Sequence, residues 1–112
     1  MNDSRMQAEI FSQSEGDRWY QRARTTLPNA KGDPVLVRLS TLCVEATSVL
    51  EIGASNGWRL TALKAFYPHA RLCGLEPSTL AIQDAALGLE MKQGTAERIP
   101  WDADTFDLVI FG

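Results

Sequence analysis

The stretch that most constrains this chain runs from Ser48 to Tyr67. An apolar, β-branched run, Ser48-Val49-Leu50-Glu51-Ile52, breaks at Gly53 into the loop Ala54-Ser55-Asn56-Gly57 and continues as Trp58-Arg59-Leu60-Thr61-Ala62-Leu63-Lys64-Ala65-Phe66-Tyr67. That reads as strand, glycine turn and helix, with Pro68 as the helix stop. The unit then repeats: a strand over Ala70–Leu75, a turn at Glu76-Pro77-Ser78 with Ser78 as N-cap, a helix over Thr79–Leu87 stopped by Gly88, and a short strand over Leu89–Gln93. After a polar stretch from Gly94 to Thr105, Phe106–Gly112 carries apolar residues on both faces, as a buried parallel strand requires. The alternation predicts an α/β fold, a doubly wound parallel sheet with right-handed crossovers.

With 112 residues, 45% of them apolar, the chain closes one modest core and has no room for a second domain. Residues 1–32 are polar and irregular, with a short helix expected over Asp17–Arg24, and read as an N-terminal arm to a domain over 33–112. Asp33 before Pro34 is an N-cap with proline at the first helical position. Val35, Leu39, Leu42 and Ala46 then recur at helical spacing, which predicts a helix from Pro34 to Ala46. A net charge of −3 offers no basic face to nucleic acid. The polar start and the lack of any apolar run near ~20 residues argue against a membrane partner and for a cytoplasmic protein. Cys43 and Cys73 form no C-x-x-C, sit in apolar runs and are expected as buried reduced thiols; no metal site is expected.

In an open α/β sheet, ligands bind at the carboxyl ends of the strands near the point where strand order reverses. Gly53 and Gly57 permit backbone conformations closed to other residues, and the helix starting at Trp58 directs free N–H groups to the same place. Glu76 ends the next strand 23 residues beyond Gly53, near the spacing at which an acidic side chain accepts hydrogen bonds from ribose hydroxyls. Two elements therefore converge on a nucleoside. Other chemistries fit less well. Gly53–Gly57 spells the G-x-S-x-G of a hydrolase nucleophile elbow, but the sole histidine, His69, precedes the second strand at the opposite end of the sheet from Ser55. A dinucleotide fingerprint would need glycines where Ser55 and Trp58 stand.

Val49–Gly57 resembles motif I of class I S-adenosylmethionine-dependent methyltransferases, and Gly74-Leu75-Glu76-Pro77-Ser78 resembles the acidic segment that follows it. Gly94–Trp101 with Phe106–Val109 is similar to the segment beside adenine and the fourth strand of that family. The resemblance implies a Rossmann-like sheet of order 3-2-1-4, truncated after its fourth strand, with S-adenosylmethionine as cofactor and a small-molecule methyl acceptor. It implies that Gly53, Ala54, Ser55 and Gly57 surround the methionine part. Glu76, in the segment with Pro77, would hold the ribose hydroxyls, and Thr95 and Ala96 would flank adenine. Glu51 would steady the loop and reach the cofactor through water. Ser55 stands where the family commonly has glycine, at little cost if its backbone angles are ordinary. Thr95 replaces an Asp that many members direct at the adenine amino group. The run Phe11–Arg22 also resembles the lead segment of methyltransferases linked to surface-sugar biosynthesis. No residue reads as a general base, so no catalytic residue is named and the isolated chain is expected to be inactive. The alternative is a non-catalytic module that binds S-adenosylmethionine or a nucleoside. By the same resemblance the helices from Pro34, Trp58 and Thr79 pack on one sheet face. The other face and the final strand's edge are then expected to be bare and to drive homodimerisation.

Overall fold

A computed structural model of the chain describes residues 14–22, 32–102 and 104–112. Helix α1 spans residues 14–22 and is followed by α2 (Pro34–Leu42), β1 (Ser48–Ile52), α3 (Trp58–Leu63), β2 (Arg71–Glu76), α4 (Thr79–Gln83), β3 (Glu90–Gln93) and β4 (Leu108–Phe111). The first helix begins before the expected Asp17, and Ala23 and Arg24 lie outside the described residues. The four strands form one parallel sheet in the order β3-β2-β1-β4, as expected. Strand order reverses between β1 and β4, so the carboxyl ends of these two strands flank the switch point.

Alternation along β1 sorts the core into two layers. Val49 joins Leu72 and Ile110 on one face, packed by Leu36 of α2 and by Leu60 and Leu63 of α3. Leu50 and Ile52 join Cys73 and Leu75 on the other, packed by Trp101 and Phe106. Burying a leucine of this kind stabilises the fold by about 1.5–3 kcal/mol. The second face is thus not bare: the β3–β4 connection lays Trp101 edge-on to Phe106, ring centroids 5.5 Å apart, across its centre. Val109 and Phe111 on β4 remain exposed. Among the described residues no helix is long and apolar enough to cross a membrane.

The helices end sooner than their apolar periodicity indicated. Cys43 closes α2 in the left-handed region (φ 52°), where its N–H donates to Leu39 and Ser40. It is exposed, contrary to expectation, while Cys73 is buried. After Leu63 the chain tightens into i→i+3 bonds, Lys64 to Thr61, Ala65 to Ala62 and Phe66 to Leu63, before Tyr67. Helix α4 stops at Gln83, short of the fully exposed Leu87, which has no core to fill. Packing alone does not set these ends, since Ala46 and Tyr67, beyond the last turns of α2 and α3, still pack against the core.

Candidate functional site at the carboxyl ends of β1 and β2

The loop after β1 is tied back to β2, since the N–H groups of Gly53 and Ala54 both donate to the Leu75 carbonyl, at 2.8 and 3.1 Å. Gly53 has φ +77°, and a Cβ there would stand 3.3 Å from the Gly112 carbonyl at the end of β4, so the switch point has backbone on both sides. Ala54 faces the core, and Gly74 gives it room: a Cβ on Gly74 would come within 2.9 Å of the Ala54 Cβ. Gly57, the N-cap of α3, also has φ +77°, and this left-handed backbone calls for glycine; a Cβ there would in addition lie 2.5 Å from the movable Leu89 Cδ1. Ser55 does not have the ordinary backbone angles on which its low cost depended. Its φ is +54°, and its buried hydroxyl has no hydrogen-bond partner.

Glu76 is buried at the end of β2, and both carboxylate oxygens are held by main chain. Oε1 accepts the Ser55 N–H and Oε2 the Ser78 N–H, each at 2.8 Å. One side chain thereby joins the glycine loop to the start of α4. Burial raises its pKa, and the two N–H donors oppose the rise. Each oxygen keeps a second lone pair for another donor. Pro77 is half-buried beside it, and the Gly94 N–H donates to the Glu76 carbonyl at 3.1 Å, which brings the Thr95-Ala96 segment to the same edge. Thr95 is half-buried and Ala96 exposed.

Beneath the loop lies an ion cluster that sequence reasoning missed. Arg59 grips Asp33 with two bonds, Nε to Oδ2 at 2.8 Å and Nη2 to Oδ1 at 2.9 Å, and donates through Nη1 to Glu51 Oε2. The Asp33 Oδ2 also caps α2 by accepting the Leu36 N–H at 3.2 Å. Asp33 was legible only as that cap, and Arg59 only as a member of the helix after the glycine loop. The available signal was Glu51 itself, since a carboxylate within an apolar strand needs a cation. The Arg59 hydrogen bonds hold the Asp33 pKa down. Burial pushes Glu51 up to about 7 although Arg59 pulls the other way, and Glu51 Oε1 is buried without a partner. Gly112 sits over this pair: a Cβ there would come 2.6 Å from the Gly53 carbonyl and 2.9 Å from Glu51 Oε2.

Trp101 belongs to the packing of the second face, with Lys92 Nζ 4.7 Å from its ring centroid. His69 is exposed and precedes β2, whereas Ser55 follows β1. The strands are parallel, so about 15–20 Å of strand separates the two and no nucleophile–base pair forms.

No curated protein sequence matches the chain. Solved structures do. Plantazolicin methyltransferase BpumL, crystallised with a monoazolic desmethylPZN analog and SAH, superposes with a TM-score of 0.60 at 18% identity, covering 96% of this chain and 48% of that one. The YcgJ protein of Bacillus subtilis gives 0.57 at 24% identity, covering 69% and 36%. A protein from Anabaena variabilis, described as a methyltransferase of an antibiotic biosynthesis pathway, gives 0.58 at 20%, covering 75% and 36%. At these identities the likeness is one of fold, and the chain spans between a third and a half of the length of these structures. The family model of the methyltransferase domain matches residues 50–112, more than half of the chain and including the glycine loop, Glu76 and the Gly94 segment. On that match, with the 3-2-1-4 sheet beneath it, the chain belongs to the methyltransferase-domain family.

Proposed function

We propose that the chain binds S-adenosylmethionine and forms the cofactor-holding part of an enzyme that transfers a methyl group to a small-molecule acceptor. The observation that carries this reading is the Glu76 carboxylate, buried at the carboxyl end of β2 and aimed by the N–H groups of Ser55 and Ser78. A fixed anionic acceptor suits the paired hydroxyls of a ribose. The residues around it fit the rest of the group. Glu51 Oε1 and the Ser55 hydroxyl are buried polar atoms without partners at the end of β1, and a ligand with an ammonium and hydroxyls supplies donors to both.

In this reading Gly53, Ala54, Ser55 and Gly57 form the wall around the methionine part, with main chain rather than side chains in contact at Ala54 and Gly57. Glu51 anchors the wall through Arg59, and Pro77, Thr95 and Ala96 border the nucleoside. When bound, S-adenosylmethionine supplies a methyl group on a positively charged sulfur, which passes in line to the acceptor as the carbon–sulfur bond breaks. The chain's contribution is to hold the donor at a fixed angle and to exclude water from its buried end. The reading also places the protein in the cytoplasm, treats residues 1–32 as an arm to the domain over 33–112, and has two copies associate through the β4 edge, where Val109 and Phe111 are exposed.

Calorimetry with S-adenosylhomocysteine tests the reading. The protein should bind it, and Glu76→Ala should weaken binding by about 1–3 kcal/mol as the charged acceptor is lost. Tight binding of NADH with no binding of S-adenosylhomocysteine would overturn it.

A further inference from the structure

Helix α1 is seated on the turn that carries Glu76. Asp17 Oδ1 accepts the Ser78 hydroxyl at 2.6 Å and the Leu80 N–H at 3.3 Å, while Thr79 Oγ1 lies 3.5 Å from Oδ2. Ser78 is completely buried, and its hydroxyl also accepts the Ala81 N–H at 3.1 Å. The approach is close, since a Cβ on Gly16 would stand 3.1 Å from the Ser78 nitrogen and 3.2 Å from Pro77 Cγ. One turn further along α1, the buried Tyr20 donates its hydroxyl to Asp84 Oδ2 at 2.7 Å, so the helix engages both ends of α4. The polar contacts then run without a break. Asp17 holds Ser78, the Ser78 N–H holds one oxygen of Glu76, and the other oxygen holds the Ser55 N–H of the glycine loop.

We propose that Asp17 is a positioning residue for the cofactor: through Ser78 it fixes the Glu76 carboxylate, and with it the glycine loop, in the orientation that receives the ribose. This rests on the reading of the site given above. Asp17 also bears on Glu76 directly: its charge adds to the rise of the Glu76 pKa that burial begins. Reciprocity follows from linkage: if seating α1 favours cofactor binding, the bound cofactor favours the seated helix by the same factor.

The test uses the whole chain and has two arms. The first needs no cofactor: amide exchange by NMR, in which Asp17→Ala should speed exchange of the Ser55 and Ser78 N–H groups about tenfold and leave Leu72 and Cys73 in β2 unchanged. The second is titration with S-adenosylhomocysteine, in which Asp17→Ala should weaken binding about five- to tenfold. Asp17→Asn, which keeps an acceptor oxygen, should restore most of it. Unchanged exchange at Ser55 and Ser78 overturns the relay, and faster exchange with unaltered affinity overturns the positioning role. If the native chain does not bind S-adenosylhomocysteine at all, the proposed function fails, while the exchange arm still decides whether Asp17 holds Glu76. Should Asp17→Ala not fold, Ser78→Ala cuts the same link and leaves the main-chain bond to Glu76 available, with the same expected outcomes in both arms.

Discussion

Replacing Ser55 by glycine should strengthen the fold and weaken the site. Ser55 has φ +54°, a conformation that costs an L-residue roughly 1–2 kcal/mol, and its hydroxyl is buried without a partner, which costs about 1–3 kcal/mol more. Glycine removes both penalties at the expense of roughly 0.5–1 kcal/mol of extra freedom in the unfolded chain. The bond that matters to the loop, from the residue-55 N–H to Glu76 Oε1 at 2.8 Å, is main chain on the donor side and survives the change. The net effect is a stabilisation of about 1–4 kcal/mol, and each kcal/mol in a domain of this size raises Tm by about 4–8 °C. Thermal and urea denaturation of Ser55→Gly without ligand measure it. If the hydroxyl serves the ligand, the same variant should bind S-adenosylhomocysteine about fivefold more weakly, the worth of one hydrogen bond. A Ser55→Gly protein less stable than the native chain would refute the reasoning, because the hydroxyl would then have a partner in the folded state. A stabilised variant with unchanged affinity would remove Ser55 from the ligand's contacts.

Two further outcomes follow from the ion cluster and the open edge. Burial raises the Glu51 pKa from its ordinary 4.5 to about 7, so the folded state holds this proton to higher pH than the unfolded chain. The associated stability is complete below about pH 4.5 and is lost as pH rises through about 7. The native chain should therefore lose up to about 3 kcal/mol relative to Glu51→Gln between pH 4.5 and 7, measured by urea titration at several pH values; a constant difference would mean that Glu51 stays ionised beside Arg59. Sedimentation velocity at micromolar concentration should show a dimer that Phe111→Lys converts to monomer, since Phe111 is 71% exposed on the outermost strand. A monomeric native chain would show that Trp101 and Phe106 cover enough of the sheet by themselves.

The sequence by itself determined the order of elements and put the glycine loop and Glu76 at the ends of β1 and β2, while the 3-2-1-4 order came from the resemblance to the methyltransferase family. Those depend on local chemistry: β-branched runs for strands, glycines where φ must be positive, and an acid at the end of β2. The sequence did not determine where helices stop, since apolar spacing continues past Leu42, Leu63 and Gln83 while the regular helical hydrogen bonding does not. Nor did it show that Gly74 is required by a neighbour, the Ala54 Cβ, a contact that exists only once the loop is in place. The Asp33–Arg59–Glu51 cluster and the seat of Asp17 on Ser78 join residues distant in the chain, 26 positions apart for Asp33 and Arg59 and 61 for Asp17 and Ser78. Local propensity carries no record of such pairs. Only the folded sheet, which takes these charges out of water and brings their partners within reach, decides which of them meet.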